Sequence, residues 1–191
     1  KTVVTANKMA IALNSHTLQA AALEGGAGLH FEASVCGAVP VIRTLSESMQ
    51  ANRVTQVMGI VNGTTNYILS KMTDEMRPYS EVLQEAQALG LAEPDPASDV
   101  GGYDAAYKLS ILSSLAFHAR IPYEHIHREG IEQVQVRDIA AGKDLGYRLK
   151  LLAIGKRQGD TVDVRVHPAF VPETHPLASV GGAFNAVFLH G

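Results

Sequence analysis

Glu93-Pro94-Asp95-Pro96-Ala97-Ser98-Asp99, followed by Asp104 and Lys108, is the densest run of ionisable groups in the chain. The two prolines stiffen the backbone and fix where the carboxylates of this loop point. Asp104 and Lys108 are four residues apart, so on a helix they share a face, with about 6 Å between them along the axis. One reading of that spacing is a solvent-facing ion pair worth ~0.2–0.5 kcal/mol. The other is a lysine held for proton transfer by a neighbouring carboxylate. The spacing alone favours the first reading. Three acids immediately upstream narrow the gap, because a surface pair needs no rigid acidic loop.

Asn62-Gly63-Thr64-Thr65-Asn66 is a second cluster, a donor-rich turn between a strand-like and a helix-like segment. Free backbone N–H groups at such a turn can hold a carboxylate or phosphate; ordinary helix capping explains the same residues and is preferred on pattern alone. The turn lacks the Gly-Lys-Ser/Thr ending of a Walker loop. Gly25-Gly26-Ala27-Gly28 follows a helix and precedes a strand, the reverse of what a dinucleotide fingerprint requires. The eight histidines are scattered, with no HExxH arrangement, so no transition-metal site is expected. Cys36 has no charged neighbour in sequence to lower its pKa and reads as a small buried hydrophobe. Met49, Met58, Met72 and Met76 read as core filler.

The 191 residues suit one domain, or one domain with a piece of another. A hydrophobic share of 46% excludes a disordered chain. A net charge of −3 with interspersed signs gives no footprint for nucleic acid. No apolar run approaches the ~20 residues of a membrane span. The single cysteine excludes an internal disulfide and fits a reducing, cytoplasmic setting. The first residue is Lys1 rather than Met, and the last six, Ala186 to Gly191, read as the middle of a strand-and-turn region, so a piece of a larger protein is expected.

The elements that must position these clusters follow from pattern. Val3-Val4-Thr5 reads as a strand end. Asn7 caps a helix over about 8–23, with an apolar stripe of Met9, Leu13, Leu18, Ala21 and Leu23. Leu29 to Val35 reads as a strand and about 40–51 as a short helix with Pro40 in its first turn. Val54 to Val61 alternates as a strand, and a helix follows from the Asn62 turn to about Asp74. Further helices are expected over about 80–89, 103–118 and 136–142, with a loop over 91–102. Tyr147–Lys156 and Thr161–Val166 read as a β-hairpin, and about 184–189 as a last strand. The mixture predicts an α+β fold, a mixed β-sheet with helices packed on one face.

With these residues in view, the chain resembles the substrate-binding and dimerisation region of the homoserine dehydrogenase family. The resemblance rests on Val4-Thr5-Ala6-Asn7-Lys8, on Phe31 through Pro40, on Gly59-Ile60-Val61-Asn62-Gly63-Thr64-Thr65-Asn66-Tyr67, and on Glu93 through Asp99 with Asp104 and Lys108. Glu129-Gly130-Ile131 and Leu145 through Leu152 add to it. The third and fourth stretches together are highly specific.

The resemblance implies NAD(P)-dependent interconversion of L-homoserine and L-aspartate 4-semialdehyde by a cytoplasmic homodimer in threonine, methionine and isoleucine biosynthesis. It implies catalytic roles for Lys108, Lys8 and Asp104. It places Glu93 and Asp99 at the substrate amino group, lines the cleft with Asn62, Gly63 and Thr64, and sets Lys8 and Gly63 near the cofactor. It also implies a sodium-like monovalent cation on the backbone carbonyls of Glu32, Val35, Gly37 and Val39. Residues 1–8 then correspond to the end of a nucleotide-binding domain, and 9–191 to the substrate domain. Leu91 departs from the aromatic residue many members carry before the acidic loop. No cofactor-anchoring glycine-rich turn occurs, so little or no dehydrogenase activity is expected of these 191 residues alone. The alternative is a non-catalytic homoserine-binding or dimerisation module, which intact Glu93, Asp99, Asp104 and Lys108 argue against.

Overall fold

Val57 and Gly59 point to one side of a strand and Met58 and Ile60 to the other, and both sides are covered. In the computed structural model, which describes residues 1–191, this strand is β3 (Gln56–Ile60). It pairs antiparallel with β5 (Tyr147–Gln158) on one side and β7 (Ala186–His190) on the other. β5 forms a long hairpin with β6 (Thr161–Pro172), from Gln158↔Thr161 to Tyr147↔Pro172. The two-residue β4 (His127–Arg128) adds to β6 in parallel, giving the order β4-β6-β5-β3-β7. The sheet is therefore mixed and the fold α+β, as the pattern of elements predicts.

One face carries Val57, Leu149, Leu151, Ala153 and Val166 into the main core, against α3 (Gly63–Glu75), α6 (Tyr103–Phe117) and α7 (Val136–Asp144). The opposite face carries Ile60, Leu152, Ile154 and Val171 into a smaller core. Its cover is Leu177 and Ala178 of the segment after β6. The α-helices α3, α6 and α7 thus pack on one face, and the other carries the 3-10 turn Pro176–Ser179. No helix is long and apolar enough to cross a membrane.

β1 (Val3–Val4) pairs in parallel with β2 (Leu29–His30) outside the main sheet. Between them runs α1 (Lys8–Glu24), capped by Asn7, whose side chain accepts a hydrogen bond from the Ala10 N–H at 3.0 Å. The expected apolar stripe on α1 is not a buried face. Ile11 is its one buried residue, while Met9, Leu13 and Leu23 are exposed. Asn14 leaves helical geometry (φ −130°, ψ 17°), so the two halves of α1 are out of phase and no single stripe faces the core. Residues 31–35 also depart from expectation: only Leu29–His30 is strand. Glu32 turns its carboxylate back onto the N–H groups of Ile42 and Arg43, at 2.9 and 2.8 Å, at the start of α2 (Val41–Arg43). Inside the expected loop, Ala97–Val100 forms a one-turn helix, α5. Met76 is no core filler; it ends α3 in a left-handed conformation and is 40% exposed.

The turn ahead of α6 is clamped from the sheet edge. Arg128 donates to the Gly101 carbonyl at 2.6 Å and lies over the Tyr103 ring, 3.4 Å from its centroid. The Ile131 N–H donates to the Val100 carbonyl at 2.8 Å. This approach requires glycine at 130, where a Cβ would lie 2.4 Å from the Val100 oxygen and 2.8 Å from the Gly101 Cα. The obstacle is backbone, which cannot move aside as a side-chain tip can. Gly130→Ala is expected to destabilise the chain by about 2–3 kcal/mol, measured by urea denaturation. An effect within experimental error would show that the clamp is loose.

Candidate active site

Asp104 is 2% exposed in the first turn of α6, and three groups from three parts of the chain converge on it. The Lys8 ammonium lies 2.5 Å from Oδ1. The Lys108 ammonium lies 2.6 Å from Oδ2, and the Asn62 amide donates to Oδ2 at 2.9 Å. Burial pushes the Asp104 carboxyl up, but Lys108, Asn62 and Lys8 outweigh it and hold it below its ordinary value. The pair read from spacing is therefore a buried one, with the Lys108 side chain only 14% exposed.

Local structure explains why the groups meet. α1 begins at Lys8 because Asn7 caps it, and this puts the ammonium at the helix start. Gly102 adopts φ +77° and starts α6 with Asp104 facing inward. Lys108 lies one turn later on the same face, and its Nζ also donates to the Val61 carbonyl at 2.7 Å. With two of its three N–H groups so fixed, one remains for a ligand.

Asn62 organises the cluster. Its amide nitrogen donates to Asp99 at 2.7 Å as well as to Asp104. Its amide oxygen accepts from the Thr65 N–H at 2.8 Å and from the Thr65 hydroxyl at 3.0 Å, capping α3. Both ends of the side chain are therefore engaged within the protein. The Thr64 hydroxyl is engaged too, donating to the Leu91 carbonyl at 2.8 Å and tying down the start of the acidic loop. What the turn leaves free are the N–H groups of Gly63 and Thr64, which have no acceptor in the protein. Gly63 is glycine because a Cβ there would lie 2.7 Å from the Ala183 carbonyl oxygen.

The structure thus joins Lys8, Asn62, Asp99, Asp104 and Lys108 in one network. It does not join Glu93 to them: that carboxylate is exposed and makes no ion pair or hydrogen bond, while its backbone carbonyl accepts from Gln87 at 3.2 Å. The segment around Cys36 lies within the electrostatic reach of the cluster. Burial pushes the Cys36 thiol up to about 11, with Lys108 lowering it and Asp104 raising it by smaller amounts. Val35 is completely buried, yet its carbonyl accepts no hydrogen bond, and neither does that of Gly37. The carbonyls of Glu32 and Val39 each accept one, from Val35 at 3.4 Å and Val41 at 2.8 Å. Sequence reasoning missed the Val61 carbonyl and the Arg128 clamp. A carbonyl leaves no residue-type signal, and Arg128 lies between the expected helices 103–118 and 136–142, where the pattern predicts no element.

The homoserine dehydrogenase family model matches residues 40–191. Homoserine dehydrogenase from Bacillus subtilis is 49% identical over the whole chain, and that from Pseudomonas aeruginosa is 44% identical over the whole chain. The chain spans 44% of the length of each. The crystal structure of a homoserine dehydrogenase from Thiobacillus denitrificans superposes with a TM-score of 0.97 at 46% identity, covering 99% of this chain and 44% of that one. A hyperthermophilic archaeal homoserine dehydrogenase in complex with NADPH gives 0.83 at 31% identity, covering 98% of this chain and 54% of that one. The chain belongs to the homoserine dehydrogenase family.

Asn62→Ala is expected to lower unfolding stability by about 2–4 kcal/mol. About 1 kcal/mol comes from the lost cap, and the rest from two carboxylates left short of a donor. The stabilisation from Asp104, whose pKa is lowered on folding, is fully present above the ordinary carboxylate range. It is lost as pH falls through the lowered native value. Denaturation of Asp104→Asn between pH 7 and 3 should lack that acid-side loss; an identical acid limb in both proteins would count against the buried charged network.

Proposed function

We propose that this chain is the catalytic region of a homoserine dehydrogenase, interconverting L-homoserine and L-aspartate 4-semialdehyde. The observation that carries the proposal is the buried Asp104 carboxylate shared by two ammonium groups, beside an acidic loop and a helix start with free N–H groups. Homoserine presents an ammonium, a carboxylate and a hydroxyl. Asp99, with Glu93 from the loop, takes the ammonium. The Gly63 and Thr64 N–H groups take the carboxylate, helped by the positive end of α3. The hydroxyl lies at Lys108, whose third N–H is directed to it.

In the reducing direction the Lys108 ammonium gives its proton to the substrate oxygen as the aldehyde becomes an alcohol. In the oxidising direction the amine takes the hydroxyl proton. Asp104 holds Lys108 through both, and Lys8 shares that carboxylate from the solvent side, 38% exposed. Asn62 and Thr64 act through their structural hydrogen bonds, the first by orienting both carboxylates and the second by fixing the acidic loop.

The nicotinamide cofactor, NAD or NADP, supplies the hydride acceptor or donor when bound. Lys8, part-exposed beside Asp104, and Gly63, with its free N–H, would lie toward its reactive end. Its phosphates need anchors of a different kind, so we place residues 1–8 at the end of a nucleotide-binding domain and 9–191 in the substrate domain of a longer, cytoplasmic homodimeric enzyme. The second face of the sheet, where Met58, Ala169 and Phe188 are only partly buried, is the dimer surface in this reading. The unpartnered carbonyls of Val35 and Gly37, with those of Glu32 and Val39, suit a monovalent cation such as Na⁺ that steadies the segment beside Cys36.

The test is an NMR titration of the chain with L-homoserine. Saturable shifts at Gly63, Thr64 and Asp99 are expected, with affinity reduced about tenfold in Asp99→Ala and in Glu93→Ala, as for loss of one charge-assisted hydrogen bond. No shifts at millimolar homoserine in folded protein would overturn the assignment of the pocket. An undiminished affinity in both variants would overturn the assignment of the acids.

A further inference from the structure

Lys150 lies in the first half of β5, in alternation with Leu149 and Leu151 of the main core, yet it is only 3% exposed. Its ammonium donates to three neutral acceptors: the Val180 carbonyl at 2.6 Å, the Asn66 side-chain oxygen at 3.1 Å and the Ser70 hydroxyl at 3.5 Å. No carboxylate pairs with it. Two acids, Asp74 and Glu173, line the same cavity of about 510 Å³ and are engaged by Arg148, at 3.2 and 3.6 Å. A buried, uncompensated ammonium is costly, and an apolar side chain would fill the space without that cost. Its value here lies in where it sends its hydrogen bonds.

Those bonds lead to the catalytic turn. Lys150 binds the Asn66 oxygen and so sets the Asn66 amide, whose nitrogen donates to the carbonyls of Val180 and Phe184, each at 3.1 Å. The segment 180–184 is thereby fixed at both ends. Between those ends the Ala183 carbonyl sits against Gly63, 2.7 Å from where a Cβ would be. Gly63 begins the helix that Asn62 caps, and Asn62 holds Asp99 and Asp104. A displacement of 180–184 therefore bears directly on the turn that offers its N–H groups to a ligand.

We propose that Lys150 is a positioning residue: acting with Asn66, it presses residues 180–184 onto Gly63 and so sets one wall of the substrate cleft. The link to substrate rests on the homoserine reading above; the link to Gly63 does not. Desolvation and the charge of Arg148 push Lys150 down to about 8, with Asp74 opposing them. The charged form prevails below that pH and the neutral amine above it. The neutral amine offers two donors instead of three and can accept from Ser70. The latch then loosens as pH rises through about 8.

The experiment follows the Lys150 side chain and the backbone amides by NMR from pH 6.5 to 9.5, without ligand and then with L-homoserine. The Gly63, Ala183 and Phe184 amides are expected to shift with the same midpoint as the Lys150 ammonium. In Ser70→Asp, which supplies a counter-charge inside the cavity, both midpoints should rise together by about one pH unit or more. In Lys150→Met the three amides should move from their wild-type positions and lose their titration, and homoserine affinity should fall about tenfold. Lys150→Arg should restore most of that affinity with no titration in this range. If Lys150 titrates while Gly63, Ala183 and Phe184 stay still, or if Lys150→Met leaves them unmoved, the proposal is overturned. If wild-type protein binds no homoserine while the amides track Lys150, the positioning role stands and only the substrate assignment falls.

Discussion

A carboxylate removed from water must be repaid locally, and Asp104 is repaid by two ammonium groups and an amide. No two of these three partners come from the same element. Lys8 opens α1, Asn62 caps α3, and Lys108 lies within α6 itself. Removing any one leaves a buried charge imperfectly paired, which typically costs more than the pair contributes. The network therefore ties α1, the start of α3 and α6 to one another. The donors left free, the third Lys108 proton and the N–H groups of Gly63 and Thr64, are what remains once that demand is met.

The surroundings serve the same arrangement from two directions. From the sheet edge, Arg128 and the close approach at Gly130 fix the turn that delivers Asp104. From β5 and α3, Lys150 and Asn66 fix the segment that abuts Gly63. Side chains such as Asn62 and Thr64, which read as ligand donors, are spent internally, and the turn presents backbone groups instead. Backbone donors change little with side-chain motion, so a carboxylate bound there meets a pre-set geometry.

Part of this was legible in the sequence and part was not, for identifiable reasons. The Asn7 cap, the helix from Asn62, the β5–β6 hairpin and the Asp104–Lys108 spacing are local signals, and each matches the structure. Burial of that pair is not local: an i,i+4 pair looks the same on a wet surface as under Asn62 and Val61. The contact between Lys8 and Asp104 joins residues 96 positions apart and has no sequence signature. The α1 stripe failed because a single non-helical residue, Asn14, shifts the phase of a pattern that assumes an unbroken helix. The strand expected through Val35 failed because Glu32 found partners in the N–H groups of Ile42 and Arg43. Lys150 would be read as the wet side of an alternating strand, and only the chain reversal after β6 places Leu177 and Ala178 over that face.

The order of strands also shapes how the chain reaches this state. β3 lies between β5 and β7, so the strand at residues 56–60 takes both its neighbours from beyond residue 146. Contacts across such separations close large loops before they stabilise anything, and this slows folding. During synthesis β3 emerges before both its partners, with apolar side chains on both faces and both edges unpaired, and its second edge is satisfied only when Ala186–His190 has been made. The helices α3, α4 (Tyr79–Ala88) and α6 follow it directly in sequence, and α3 and α6 cover its vicinity. In the nascent chain these helices shield a strand whose second aggregation-prone edge stays open until Ala186–His190 has been made.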